Sequence, residues 1–467
     1  MSRQSLYRFR VSRLLHGRVV SRLECGHGHR GGSCARPDER RDEIIEVLVD
    51  LFHGLLPGDP EAFRRKFRKM AASPFAFYRG SAALFYADMS RDTEEPADPR
   101  AARVWIQGDL HAENFGTYLN AAGRLVFDVN DFDEAYIGHF GWDLRRLATS
   151  LALIGHAKAF SDAEIELIVA ECGRGYADRV HALAAGADIA EVALTLDTTE
   201  GPMHAALESA RVATRADLLD SLSMVEGCER RLRRSQTARD IDSATMAEVR
   251  SAFDDYLTTL PDLEGRDPSA LQIQDVVAAS GFGIGSAGQP AFTLLLAGPT
   301  DALETDVVIS IKQATVCAPS RIVRDEHIND YFEHHGHRTV ISQRALQAHA
   351  DPWLGFTVLR AVGQVVKELS PYERDLDWGE LNDVEEVARV SVELGRAVAK
   401  IHSVADAHAE HSLVPFPAEQ AIASSIGADR QRFAAELADF ALAYSAVVRN
   451  DHGLFVDAFR NHQIADL

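Results

Sequence analysis

The chain has 467 residues with 49 Lys+Arg against 70 Asp+Glu, a formal net charge of -21, and 46% hydrophobic residues. This is the balance of a soluble globular protein, long enough for two or three domains at ~150 residues each. The acidity excludes a protein built mainly to grip a nucleic-acid backbone; no apolar run reaches the ~20 residues that cross a bilayer; and five irregularly spaced Cys give no disulfide framework. The expectation is a cytoplasmic enzyme that binds neither membrane nor nucleic acid.

Residues 1–38 carry eight Arg, no Lys and only Glu24 and Asp38 as acids. They lack the apolar stretch of a secretory signal and are expected to be a disordered leader. Cys25, His27, His29 and Cys34 fall there, but their spacing matches no standard zinc finger. From about residue 40 a helical period places Ile44, Val47, Leu48 and Leu51 on one face, and Gly58 and Pro60 break it. A second helix, "PEAFRRKFRKMA", stops at Ser73-Pro74. Two short strands or loops, "ARVWIQGDLHAENFG" and "RLVFDVNDFDEA", flank a turn at Asn120–Gly123, which predicts a hairpin. Residues 141–260 read as almost wholly helical. From 271 the texture is β, in "QIQDVVAASGFGIGSAGQPAFTLLLAG" and "TDVVISIKQA", and helical pattern returns at 337–349, 383–404 and 417–447. The organisation expected is the leader (1–38), a helical segment bearing the chemistry (39–265), a β-rich segment (266–375) and closing helices (376–467).

The chemistry concentrates in "QGDLHAENFG" (107–116) and "DVNDFDE" (128–134). Asp and Asn are ordinary turn formers and caps, so one of them alone says little. Asp109 and Asn114 in a tight loop after an apolar strand, with Asp131 beyond the hairpin, form the set that phosphoryl transfer needs. One carboxylate takes the hydroxyl proton, while an amide oxygen and a second carboxylate hold Mg²⁺ against phosphates.

"GDLHAEN…DFDEAYIG…DLRRLA" resembles the catalytic-loop and metal-loop signature of the aminoglycoside-phosphotransferase branch of protein-kinase-like enzymes. The resemblance makes Asp109 the catalytic base, Asn114 and Asp131 the metal ligands and Asp143 a structural aspartate. Gln107 stands where that signature has His, and the hairpin is about four residues longer than usual, leaving Asp128 or Asp133 as substitutes for Asp131. An even increment preserves strand facing and favours Asp131 over Asp128.

A kinase also needs a glycine-rich loop and a strand lysine, and residues 1–106 hold neither. Gly283, Gly285 and Gly288 lie between two apolar strands, and Lys312 ends a strand some 25 residues on; a strand on both sides disfavours a Rossmann site. "VELGRAVAKIHS" (392–403) resembles the helix that precedes the catalytic loop in aminoglycoside-phosphotransferase-like proteins, yet it follows that loop here. The expected fold is therefore α+β, two-lobed, protein-kinase-like and circularly permuted, with a helical N-terminal extension. Residues 353–373 would give two strands and a hinge, with adenine against backbone near Glu368–Ser370. The whole pattern resembles the bacterial domain-of-unknown-function family 2252 over roughly residues 60–450.

The implied activity is ATP- and Mg²⁺-dependent transfer to a hydroxyl-bearing small molecule. Gly283, Gly285, Gly288 and Lys312 would hold the phosphates. Nucleotidyl transfer on the same fold and a non-catalytic scaffold are the rivals. The carboxylate partner of Lys312 is open: the helix "HRTVISQRALQAH" offers only Gln343 and Gln347, and Glu326 and Glu333 lie earlier. Arg79 is expected on a nearby carboxylate or on phosphate, His111 in a structural hydrogen bond, and the basic run 228–240 on a solvated helix face.

Overall fold

A computed structural model describes residues 37–52, 60–92, 95–188, 193–261, 271–279, 291–347, 349–404 and 413–464. Helices α1 (Pro37–Phe52), α2 (Pro60–Met70), α3 (Pro74–Gly80) and α4 (Ala82–Met89) come first. Three of them open on proline, whose missing N–H is one that a helix start leaves unpaired anyway. Ser73 caps α3 by accepting the Ala76 N–H at 3.1 Å. α1 buries Arg40, Ile44, Leu48 and Phe52 and starts at Pro37, inside the leader. The rest of the leader, with Cys25, His27, His29 and Cys34, lies outside the described residues. Buried Arg40 is shared by Asp88 at 2.8 Å and Asp451 at 2.6 Å, which ties the first helix to the end of the chain.

Four short strands follow: β1 (Val104–Ile106), β2 (Phe115–Leu119), β3 (Leu125–Val129) and β4 (Tyr136–Gly138). The expected hairpin is β2–β3, turned at Asn120–Gly123 with Gly123 at φ 72°. The apolar stretch before Gln107 is not part of it. β1 pairs instead with β4, Trp105 opposite Ile137. This nesting of one antiparallel pair outside another sets loop 107–114 beside loop 130–135.

Next come α5 (Phe140–Ala157), α6 (Asp162–Ala184), α7 (Gly201–Arg211) and α8 (Arg215–Leu222). The helical expectation fails at 223–239, which forms β5 (Ser223–Glu226), β6 (Glu229–Leu232) and β7 (Ala238–Arg239) before α9 (Ser243–Leu257). Strands of two to four residues are too short to show a period of two. The basic run is thus no helix face, and key arginines in it are neutralised. Arg230 lies 3.2 Å from Asp220 and 3.6 Å from Asp306, and Arg234 lies 2.8 Å from Asp240 and 2.5 Å from Asp275.

The remaining elements are β8 (Ile273–Ala279), β9 (Ala291–Leu296), β10 (Val307–Gln313), α10 (Glu326–Tyr331), α11 (His335–Leu346), β11 (Gly355–Leu359), β12 (Val362–Glu368), α12 (Val384–Val404), α13 (Ala418–Ile426) and α14 (Arg430–Arg460). An antiparallel six-stranded sheet has the order β11-β12-β10-β9-β8-β7. Val307, Ile309 and Ile311 point to one face, where they pack with Leu294, Leu296 and Val366 under Phe253 and Tyr256 of α9. Strand alternation sends Ser310 and Lys312 to the other face. The fold is α+β, with helices at the N-terminus as expected. Among the described residues no helix is long and apolar enough to cross a membrane.

The helical core is centred on α12 crossing α6 with backbones in contact. A Cβ on Gly395 would lie 2.1 Å from the Cys172 oxygen, and one on Gly175 would lie 2.4 Å from that of Val392. Gly395→Val should therefore force the helices apart and cost about 1–3 kcal/mol, the usual size of overpacking. The check is a lower urea midpoint with an unchanged slope; an unchanged midpoint would refute the crossing.

Candidate active site

Loop 107–114 is held from below by one buried carboxylate. Asp143, in the first turn of α5, accepts the Gln107 N–H at 2.6 Å and the Gly108 N–H at 2.9 Å. His402, at the end of α12, meets the same carboxylate at 3.1 Å through Nε2, and its Nδ1 lies 2.9 Å from the Tyr176 hydroxyl. All three side chains are buried. Gly108 has φ 87°, and a Cβ there would sit 2.1 Å from the Glu134 oxygen, so only glycine lets the two loops approach this closely. Tyr86 donates to the Gly108 carbonyl at 2.7 Å. Gln107, in the place of the signature's His, joins the loops through its side chain. Its Nε2 donates to the Asp131 carbonyl at 2.5 Å, and its Oε1 accepts the Asp109 N–H at 2.8 Å.

Asp109 stands above this base, paired with the guanidinium of buried Arg146, which lies 4.4 Å from the Tyr78 ring centroid. Loss of water pushes the Asp109 pKa up to about 7; Arg146 opposes the shift, while Glu134 and Asp131 add to it. Asn114 is buried, and its Oδ1 accepts the His111 N–H at 3.0 Å. An amide oxygen has two lone pairs, so one remains for a cation. Asp131 is exposed beside Asp133, whose pKa is pushed up to about 6 by desolvation and by Asp131. Asp128 is spent elsewhere: it is fully buried and ion-paired with Lys400 of α12. Of the two alternatives to Asp131, only Asp133 faces the site.

Two carboxylates held close enough for one to raise the pKa of the other suit a hard divalent cation, which would relieve their repulsion. Among the described residues no three His, Cys, Asp or Glu side chains gather to enclose a metal. That is no obstacle for Mg²⁺, which is usually held by one or two carboxylates together with water and phosphate oxygens.

Lys312 reaches this group from the sheet. Burial lowers its pKa and Lys367 lowers it further, while Asp133, Asp131 and Glu373 raise it. Lys367 lies on β12 opposite Ser310 and so shares the face of Lys312; Glu373, then Asp131 and Asp133, raise its pKa against the effect of burial. The carboxylates acting on Lys312 thus come from loops, not from α11. Gln347, which caps α11, donates to the Val129 carbonyl at 2.9 Å and Gln343 to Gln347 at 3.0 Å, while Glu326 and Glu333 are exposed. α11 contributes Arg338 instead. This buried guanidinium donates to the carbonyls of Ala135 at 2.6 Å, Asp133 at 2.7 Å and Thr315 at 3.0 Å, pinning the second loop to the end of β10. Gly283, Gly285 and Gly288 lie outside the described residues, in the connection from β8 to β9.

The segment after β12 ties the sheet to the loops, since Thr117 of β2 donates to the Arg374 carbonyl at 2.9 Å and to that of Tyr372 at 2.6 Å. Two N–H groups expected to face a base are already bonded. That of Leu369 goes to Val308 at 2.8 Å, and that of Glu368 to Asp351 at 3.3 Å. Arg79 pairs with Glu113, and its Nε lies 3.2 Å from His111 Nε2. Burial first, and Arg79 second, hold the His111 pKa well below that of ordinary histidine.

Sequence reasoning overlooked Arg146, Arg338 and Lys367 as parts of this neighbourhood. The available signal for Lys367 was its place near the end of an apolar strand; for Arg146 and Arg338 nothing local marks burial.

A model of the family described as "Uncharacterized protein conserved in bacteria (DUF2252)" matches residues 58–458. No curated protein and no solved structure matches the chain.

Proposed function

The chain belongs to this bacterial family, DUF2252, and we propose that it is a cytoplasmic, ATP- and Mg²⁺-dependent phosphotransferase acting on a hydroxyl-bearing small molecule. The observation that carries the reading is that Asp131 and Asp133 act on Lys312 and Lys367, from distant parts of the chain, while Asp131 also acts on Asp109. In this reading Lys312 and Lys367 hold phosphate oxygens, helped by the loop with Gly283, Gly285 and Gly288. Asn114 and Asp131, with Asp133 beside them, hold Mg²⁺, which supplies positive charge to the transferring group. Asp109 accepts the acceptor's hydroxyl proton as the oxygen attacks phosphorus, and ADP leaves with the bridging electron pair. Arg146 and Gln107 fix Asp109, and positioning with electrostatics does the rest.

A two-lobed kinase-like fold in permuted order accounts for the arrangement. A glycine-bearing hairpin, β8–β9, leads to the lysine strand β10. A helix and two strands return beside β10, and α12 ends against the loop of Asp109. The acidic surface and the neutralised arginines of 228–240 argue against a nucleic-acid partner.

Calorimetric titration of MgATP into the wild type, Lys312→Ala and Asp131→Ala tests the site. Both variants should bind about tenfold or more weakly, a loss of ~1.4 kcal/mol or more, and EDTA should abolish binding. A folded wild type that binds no MgATP overturns the reading. Label transferred from the α-phosphate, not the γ-phosphate, would turn it into nucleotidyl transfer.

A further inference from the structure

A cavity of about 180 Å³ lies between the start of α5, the end of α4 and the junction of α13 with α14. It is larger than the ~150 Å³ that admits a benzene ring. Phe140, Trp142, Leu144, Phe433 and Leu437 give it an apolar wall, the usual lining of a small-molecule site. No residue of loops 107–114 or 130–135 lines it. Trp142 and Arg145, one turn apart on α5, line the cavity. Asp143 and Arg146, on the neighbouring face of that turn, serve the loop of Asp109 instead.

The charges on the wall decide what the cavity would take. Arg145 and Arg432 stand there against Asp92, Glu95, Asp429 and Glu436, which leaves a net charge of -2. Both arginines are spent: Arg145 pairs with Asp92 at 2.6 Å, and Arg432 with Glu436 at 2.7 Å. The Nε–H of Arg145 has no acceptor, but it is sealed from solvent and offers a ligand nothing. His139, stacked on Phe140, brings no charge, because burial and then Arg145 push its pKa down to about 3. The helix starts are occupied as well. Asp429 accepts the Arg432 N–H at 3.0 Å at the head of α14, and His139 accepts the Gly141 N–H at 2.9 Å at the head of α5. Among the described residues Glu95 and Asp429 form no ion pair. What is left for a ligand is negative charge beside aromatic faces, and both attract a cation.

We propose that this cavity is a second binding site, separate from that of Asp109, for a small organic cation: an ammonium carried on an apolar body of about one ring. Glu95 and Asp429 meet the ammonium, and Trp142 and Phe433 meet the ring. The site does not depend on the phosphotransferase reading.

Benzylamine is the probe, titrated calorimetrically at pH 7 into the wild type, Ala97→Phe and the double variant Glu95→Gln/Asp429→Asn. Ala97 is an exposed residue of the wall, so a phenyl group there fills the space without entering the core. Asn caps a helix about as well as Asp, so the double variant should keep α14. The wild type should bind benzylamine, bind benzyl alcohol about tenfold more weakly, and ignore benzoate. Both variants should bind benzylamine about tenfold or more weakly, and MgATP as the wild type does. A wild type that does not bind benzylamine, or binds benzyl alcohol or benzoate as tightly, overturns the proposal. Benzylamine binding unchanged in either variant also overturns it, because the amine would then sit elsewhere. So does a loss of MgATP binding in Ala97→Phe, since the cavity would then be the nucleotide's. A wild type that binds benzylamine here but no MgATP would leave this site standing and remove the phosphotransferase reading.

Discussion

Asp109→Asn should lower the rate of phosphoryl transfer by about 10²–10⁴-fold, the usual contribution of a positioned base, while MgATP binds as tightly as to the wild type. The substitution keeps shape and removes the proton acceptor; the Gln107 contact to its backbone N–H does not depend on the side chain. The pH profile carries a sharper test. With Asp109 pushed up to about 7, its protonated form, inactive as a base in the proposed reaction, dominates below that pH. The wild-type kcat/KM should rise with one proton's dependence and level off above about pH 7, and Asp109→Asn should lose that limb. Arg146→Met removes the charge that holds the Asp109 pKa down, so the limb should move upward, by about one unit or more. A limb that stays in place in both variants would mean that another group titrates.

Asp143→Ala should be the most damaging single change to the loop. It leaves the Gln107 and Gly108 N–H groups and the ring of His402 without their acceptor in a fully buried place. Each orphaned buried donor costs about 1–3 kcal/mol, so a loss of about 3–5 kcal/mol in unfolding free energy is expected, with transfer activity lost as well. Asp143→Asn keeps one acceptor oxygen and should fall between. Urea unfolding checks this, and a loss under about 1 kcal/mol would show that the loop does not depend on Asp143.

The candidate site was legible where its polar residues sit in short runs. "GDLHAEN" and "DFDEA" place Asp109, Asn114 and Asp131 by local spacing, and Asp143 follows in the next helix as the resemblance implies. The choice among Asp128, Asp131 and Asp133 was not fully legible, because it turns on Lys400 taking Asp128 from a helix far along the chain. The partner of Lys312 was sought on the following helix, as in an ordinary kinase. There α11 uses Arg338 to pin a loop, and loop carboxylates act on the lysine instead. The run 228–240 was misread because paired arginines on two- to four-residue strands look, in one dimension, like a solvated helix face.

By itself the sequence determined the α+β class, the β2–β3 hairpin, the strands around Lys312 and the close-set polar residues of the candidate site, because turns, alternation and short polar runs are local. Only the tertiary structure decided that β1 pairs with β4, that His402 closes under Gln107 and Gly108, that Lys400 takes Asp128, and that Lys312 feels the charges of Asp131 and Asp133. Those outcomes depend on which surfaces pack together. Contacts between segments hundreds of residues apart leave no mark on the spacing of either segment.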